Sequence, residues 1–321
     1  MMSSHARPRR RRVRSFLVFL LPAGLVAALS DCENDGGAKV INLSLGGSFK
    51  SRTEQRAFND AESRGILSIA AAGNDGNSRH SYPASYSSVV SVAAVDEFDN
   101  HADFSQTTSQ VELAGPGVHI LSTVPRDTGS EASASVGGSD IIADAMDGSP
   151  YTSGSGPLVD CGLGDNTCPG GGGQVCLIQR GDINFDAKVL ACQAGGGSAA
   201  IIYNNVPGPL LGTLGGTSTS IPSIGVSDTD GFVLQGLLGS VTSVAVSVSD
   251  YAFFDGTSMA TPHVAGVAAL VWSNNPTCSN TDIRSALSAK AKDLGAAGRD
   301  DLYGHGLVQA WATHDYIQQY G

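Results

Sequence analysis

Apolar runs bounded by glycines alternate with an amphipathic stretch in the first third of the chain. Three near-continuous apolar runs predict buried parallel strands at residues 38–45, 66–72 and 88–95. Between the first two, residues 53–64 place Phe58 and two alanines on one face and stop before Gly65, which predicts a helix. This order of strand, helix and strand predicts a right-handed parallel α/β unit, whose functional side chains gather at the carboxyl ends of the strands.

The middle of the chain follows a different pattern. Between Thr123 and Tyr251, glycine, serine and cysteine become frequent and the apolar runs become short. These runs predict strands at residues 174–181, 199–205 and 221–226, with a helix at 185–193. Because apolar strands need a core, a small inserted β-rich or α+β domain at 127–248 is favoured over a glycine-rich linker.

Ser258 lies in the string Phe254-Asp-Gly-Thr-Ser-Met-Ala-Thr-Pro-His-Val-Ala-Gly266, directly before an apolar helical stretch at 267–272. The small residues around the hydroxyl let a substrate approach the backbone closely. The N–H groups and the dipole of the following helix favour negative charge that develops at the serine. Ser258 is therefore a candidate catalytic nucleophile.

The string around Ser258 resembles the nucleophile motif of the subtilisin-like serine proteases, the subtilase or peptidase S8 family. Two further segments, 44–46 and 71–74, resemble segments of the same family and occur in the family's order. In that family the first segment pairs with the substrate backbone as an added strand and lines its specificity pocket, and the second carries the oxyanion-hole asparagine. The residues for which the resemblance implies substrate binding are Ser44, Leu45, Gly46, Ala72 and Gly73.

Asn74 corresponds to the family's oxyanion-hole asparagine. The resemblance implies that its side-chain N–H and the backbone N–H of Ser258 together hold the tetrahedral oxyanion. From the residues alone, Asn74 before the turn dipeptide Asp75-Gly76 is better explained as a turn asparagine, and its place in family order with Ser258 and the segment 44–46 favours the oxyanion role. The segment Ser81-Tyr-Pro-Ala84 resembles the family's proline turn, which implies a cis bond between Tyr82 and Pro83.

The Ser258 motif requires a catalytic base, but the sequence offers no base in the setting that the family uses. A serine hydroxyl is a weak nucleophile unless a base takes its proton, and the family uses Asp, His and Ser in that chain order. No His-Gly-Thr-His string occurs here, and the one Asp-Thr-Gly string, at 127–129, follows the Asn74 segment instead of preceding it and so is outside the family's order. None of the seven histidines has such a setting: His5, His80, His101, His119, His263, His305 and His314. His263 belongs to the serine motif itself and is excluded as its base.

The predicted fold class is α/β, with a three-layer subtilisin-like parallel-sheet core that is N-terminally incomplete. The insert resembles the protease-associated (PA) domain, which implies polypeptide binding or control of access. We predict a signal-like or non-native N-terminal segment at 1–24, the catalytic core at 25–126 and 249–321, and the insert at 127–248.

The function implied at family level is serine endopeptidase activity, with this chain inactive by itself. Three hypotheses stay open: a fragment or misread product of a working secreted protease, a non-catalytic polypeptide-binding module, and one half of a split enzyme. The implied partners are a polypeptide substrate and a complementing N-terminal segment.

The N-terminus carries a basic head at 7–14 and an apolar stretch at 16–29, which is typical of a secretory signal. This stretch is too short, and too broken by Pro22, to predict a transmembrane helix. The alternative is that residues 25–32 form the helix that precedes the family's substrate-binding strand. The net charge of −11 argues against nucleic acid or an anionic membrane as a partner, and we expect a secreted protein.

The six cysteines allow fifteen sets of pairings. Four of the cysteines lie in the insert, and this density favours an oxidising compartment. We predict two local disulfides, Cys161–Cys168 and Cys176–Cys192, and leave the pairing of Cys32 and Cys278 open. No Cys/His spacing indicates a metal site, no cofactor is predicted, and calcium cannot be assigned to particular residues.

Overall fold

The computed structural model describes residues 22–34 and 37–320. Residues 1–21 of the predicted signal-like segment therefore lie outside the described residues. The described chain divides into two compact units. The first contains residues 22–34, 37–93, 104–115 and 261–320, and the second contains residues 94–103 and 116–260.

The helices are α1 (Pro22–Asn34), α2 (Arg52–Ser63), α3 (Phe185–Ala194), α4 (Asp228–Gln235), α5 (Thr257–Asn274), α6 (Asn280–Lys290) and α7 (Ala310–Tyr320). The strands are β1 (Val40–Leu43), β2 (Leu67–Ala71), β3 (Val89–Val95), β4 (Val111–Pro116), β5 (Ile120–Thr123), β6 (Gly129–Val136), β7 (Ser139–Ile141), β8 (Asp144–Ala145), β9 (Ser153–Asp160), β10 (Val175–Gln179), β11 (Ala199–Tyr203), β12 (Ser223–Val226), β13 (Val241–Ser249) and β14 (Tyr251–Phe254).

The first unit is built on a four-stranded sheet in the order β1-β2-β3-β4. β1 pairs with β2 and β2 pairs with β3, both in parallel, which confirms the predicted α/β unit. β2 is buried along its whole length, as its unbroken apolar run requires. Leu25 and Leu29 of α1 and Phe58 of α2 share a hydrophobic cluster with residues of β1 and β2. The Tyr82–Pro83 bond is cis, as predicted.

The second unit contains an eight-stranded sheet in the order β7-β6-β13-β9-β10-β11-β12-β8. The run from β9 to β12 is parallel, whereas β6, β7 and β13 are antiparallel. Alternate residues of β10 and β11 enter two different cores, as a strand period of two requires. A separate two-stranded antiparallel ladder, β5 with β14, flanks this domain in the chain.

Cys176 on β10 and Cys192 on α3 form a disulfide, with Cα atoms 6.0 Å apart. Cys161 and Cys168 are not bonded to each other in the structure, in contrast to the predicted disulfide. They carry thiols whose Sγ atoms, with that of Cys176, all lie within 4.8 Å of one another. The hydrogen bond from Cys161 lowers the pKa of the Cys168 thiol. Cys32 and Cys278 are also free.

The Cys161–Cys168 disulfide stays a prediction. The two sulfurs are already neighbours, so an oxidant that removes two hydrogens can join them without a large backbone movement. We expect peptide mapping of the non-reduced protein, kept under oxidising conditions, to join these two cysteines. A peptide that joins Cys176 to Cys278 instead would contradict both the predicted pairing and the observed bond.

No helix among the described residues is long and apolar enough to cross a membrane.

Candidate active site

Ser258 is the second residue of α5 and lies in the second unit. The segment before it packs closely on the turn around Gly117, because the Gly256 N–H donates to the Gly117 carbonyl at 2.8 Å. A Cβ at Gly117 would lie 2.6 Å from Ala94 Cβ and 2.8 Å from the Gly256 carbonyl oxygen. Glycine is therefore required at position 117 for the backbone to reach Ser258 along this path.

Asn74 lies in the first unit, in the loop that follows β2. Gly73 before it has φ +114°, a conformation that favours glycine. The Gln106 side chain occupies the space where a Cβ of Gly73 would be.

The Asn74 loop is held by the segment 104–107. The Gly76 N–H donates to the Phe104 carbonyl at 2.7 Å, and the Gln106 N–H donates to the Gly73 carbonyl at 3.0 Å. The buried Gln106 side chain also donates from Nε2 to the Arg79 carbonyl. Gln106 thus braces both ends of the loop that carries Asn74. No spacing rule in the sequence identified this residue.

Replacement of Gln106 by Ala is expected to loosen the loop at residues 73–80. The change removes the side-chain donor to the Arg79 carbonyl and leaves a hole against Gly73, a local cost of about 1–3 kcal/mol. Amide hydrogen exchange of peptides from this loop, together with tryptic cleavage after Arg79, measures the effect. Gln110→Ala serves as the matched control, and equal exchange in both variants would refute the bracing role.

Ser44, Leu45 and Gly46 directly follow β1, at the same end of the parallel sheet as the loop after β2. The next residue, Gly47, exchanges backbone hydrogen bonds with Tyr82 at 3.0 and 2.8 Å. A Cβ on Gly46 would lie 2.4 Å from Ser81 Oγ, so this segment packs closely on the turn before the cis proline. The first unit therefore places the predicted substrate-binding segments beside each other.

A buried aspartate faces a histidine in the second unit. His119 Nε2 lies 2.9 Å from Asp144 Oδ2, and the ring stacks on Phe253 at 4.0 Å. The hydrogen bond with Asp144 raises the pKa of His119, although partial burial opposes this shift. Sequence reasoning missed this pair, because its members lie 25 residues apart and share no motif. His80, another of the histidines, has its Nδ1 at 3.1 Å from Ser85 Oγ.

The sulfur cluster of Cys161, Cys168 and Cys176 is the group of described residues with the spacing of a metal site. Cys176 is already bonded to Cys192 and has no thiolate to offer a metal. These cysteines therefore do not form a three-thiolate site.

A model of the Subtilase family matches residues 23–161 and 234–306, and a model of the PA domain matches residues 154–234. Subtilisin BL from Lederbergia lenta is 28% identical over 279 residues, which are 87% of this chain and 57% of that protein. Thermitase from Thermoactinomyces vulgaris is 48% identical over 94 residues, 29% of this chain and 34% of that protein. The chain spans about half the length of the curated relatives it matches.

Among solved structures, the psychrophilic subtilisin-like protease Apa1 from Pseudoalteromonas sp. AS-11 is similar with a TM-score of 0.76 and 40% sequence identity. The similarity covers 92% of this chain and 74% of that chain. A sizeable part of Apa1 therefore has no counterpart among these 321 residues.

Proposed function

Because this chain belongs to the subtilase family, we propose that it is the nucleophile-bearing part of a serine-type endopeptidase. The observation that carries the proposal is Ser258 at the start of the long helix α5, inside the segment matched by the family. A polypeptide is the substrate class, and peptide-bond hydrolysis is the reaction.

In the proposed mechanism Ser258 Oγ attacks the scissile carbonyl, and an acyl-enzyme forms as the amine leaves. Asn74 and the backbone N–H of Ser258 donate to the oxyanion. The substrate backbone adds as a strand along Ser44, Leu45 and Gly46, and Ala72 with Gly73 lines the pocket beside it. A base must take the Ser258 proton and return it to the leaving amine.

We propose that this base comes from a complementing segment that carries the family's aspartate and histidine motifs, and that the chain by itself is inactive. The first unit has a surface that suits such a segment. Residues 264–272 of α5 are apolar throughout, and such a stretch is normally buried, yet 58% of the surface of Leu270 is exposed. β1 is the outer strand of its sheet among the described strands. A cavity of about 410 Å³ lies beside it, lined by Lys39, Val40, Ala269, Trp272, Ser273 and Pro276.

The test is a fusion in which an N-terminal subtilase segment with both motifs is placed ahead of Leu25. We expect the fusion to hydrolyse a denatured protein substrate and the same fusion with Ser258→Ala to remain inactive. A fusion that folds but binds substrate without cleaving it would contradict the enzyme proposal and favour a polypeptide-binding role.

We further propose that the protein is exported. The Cys176–Cys192 disulfide supports this, because disulfides persist in oxidising compartments.

A further inference from the structure

The insert is attached to one end of the two-stranded ladder. β5 runs into the insert after Thr123, and β14 begins where the insert ends, at Tyr251 opposite Thr123. At this end the Val124 N–H donates to the Asp250 carbonyl at 2.9 Å. Phe254 pairs with Ile120 at the opposite end of the ladder.

His119 and Asp255 stand at that opposite end, one before β5 and one after β14. The backbone N–H of His119 donates to Asp255 Oδ1 at 2.7 Å, which joins the residue before β5 to the residue after β14. The His119 ring lies flat on Phe253, with 5° between the ring planes. Asp255 is three residues before Ser258, so this clamp lies directly upstream of the nucleophile.

Asp144 returns from the insert to this same end. It belongs to β8, the edge strand that pairs with β12 of the insert sheet. Its carboxylate is 94% buried, as 6% of its surface is exposed, and both oxygens lie 2.9–3.0 Å from His119 Nε2. A buried carboxylate is costly unless it is paired, so the hydrogen bond with His119, which becomes an ion pair when the ring is protonated, stabilises Asp144. The insert therefore contacts the ladder at both ends.

We propose that Asp144 of the insert positions the segment that carries Ser258, acting through the imidazole of His119. The Asp144 carboxylate holds the imidazole ring in place, and the ring packs on Phe253. The backbone N–H of His119 holds the Asp255 side chain. This role of Asp144 and His119 rests on the proposed function only in so far as Ser258 is the nucleophile. Through this contact the insert would support catalysis by positioning Ser258, a role separate from substrate binding.

The positioning has a defined pH dependence. Three carboxylates face the imidazole: Asp144 directly, then Asp255 and Glu97 through their charges. Since the folded pKa of His119 is raised, the stabilisation is complete below the ordinary histidine pKa of about 6.5 and is lost as pH rises through the folded pKa. The neutral ring keeps one N–H donor, so the hydrogen bond weakens without disappearing.

The experiment compares the full chain with Asp144→Asn and His119→Gln by hydrogen exchange across pH 5.5–9, after correction for intrinsic rates. Asp140→Asn, an exposed carboxylate on β7 of the same sheet, is the matched control. We expect both test variants to raise exchange at residues 117–121 and 255–259 by about tenfold, the size of a lost charge-assisted hydrogen bond. Exchange in β11 should not change. The wild type should lose protection as pH rises, and Asp144→Asn should be flat.

A second readout uses the fusion of the preceding subsection. Asp144→Asn should slow labelling of Ser258 by a fluorophosphonate about tenfold, and His119→Gln should add nothing to it. Unchanged exchange at 255–259 in folded Asp144→Asn protein would overturn the positioning role, whether or not the fusion is active. A fusion that is never labelled, with the exchange result as expected, would overturn only the proposed function. Loss of protection throughout β11 would show a general structural role instead.

Discussion

Ser258 in the chain by itself is expected to remain unlabelled by a fluorophosphonate probe. Without a base the hydroxyl stays neutral at pH 7, and a neutral serine is a poor nucleophile. A member of this same family retains only about 10³–10⁴ over water when its triad is removed, and that remainder requires an intact oxyanion hole. The purified chain should therefore give no labelled Ser258 peptide by mass spectrometry.

The matched comparison is the fusion that carries the aspartate and histidine motifs, which should be labelled at Ser258 and lose the label on Ser258→Ala. Strong labelling of the unfused chain, abolished by Ser258→Ala, would contradict the prediction and show that a base exists within these residues. His80 and His101, the histidines near Asn74 in sequence, would be replaced first, and His119 next because Asp144 already orients its ring.

Asn74→Ala in the active fusion is expected to lower kcat by about 10²–10³ and leave KM nearly unchanged. In the proposed oxyanion role the amide donates to an oxygen that is an anion only in the transition state, so its loss weakens transition-state binding and not substrate binding. A member of this family supplies that magnitude. Steady-state kinetics with a peptide anilide substrate measures both constants.

Two further variants make this test specific. Asn74→Asp keeps the size of the side chain, lacks the N–H donor and should be at least as damaged as Asn74→Ala. Asn205→Ala, at an exposed asparagine of the insert, should leave kcat unchanged. A rise in KM with unchanged kcat in Asn74→Ala would identify Asn74 as a ground-state binding residue and refute the oxyanion role.

The first unit was predictable because its signals are local. β2 and β3 are buried on both faces, so their apolar runs are unbroken. α2 places Phe58 and Ala61 about one turn apart on its buried face. The insert was only partly predictable. β10, β11 and β12 are apolar and were predicted, whereas β6 and β9 are rich in serine, alanine and glycine with alternating exposure. Such strands have weak hydrophobic signals, and their pairing depends on distant partners.

The sequence by itself singled out the candidate nucleophile, the oxyanion candidate and the candidate substrate-binding segment. The serine string suits a nucleophile through its own small residues and the helix that follows, whereas the other two roles are what the resemblance to the subtilase family implies. The brace at Gln106 and the pair of His119 with Asp144 were decided only by the tertiary structure. Gln106 meets Arg79 27 residues away, and Asp144 reaches His119 through an edge strand of another sheet. Contacts of this kind arise from strand order and burial, and a single sequence carries no periodic or motif signal for them.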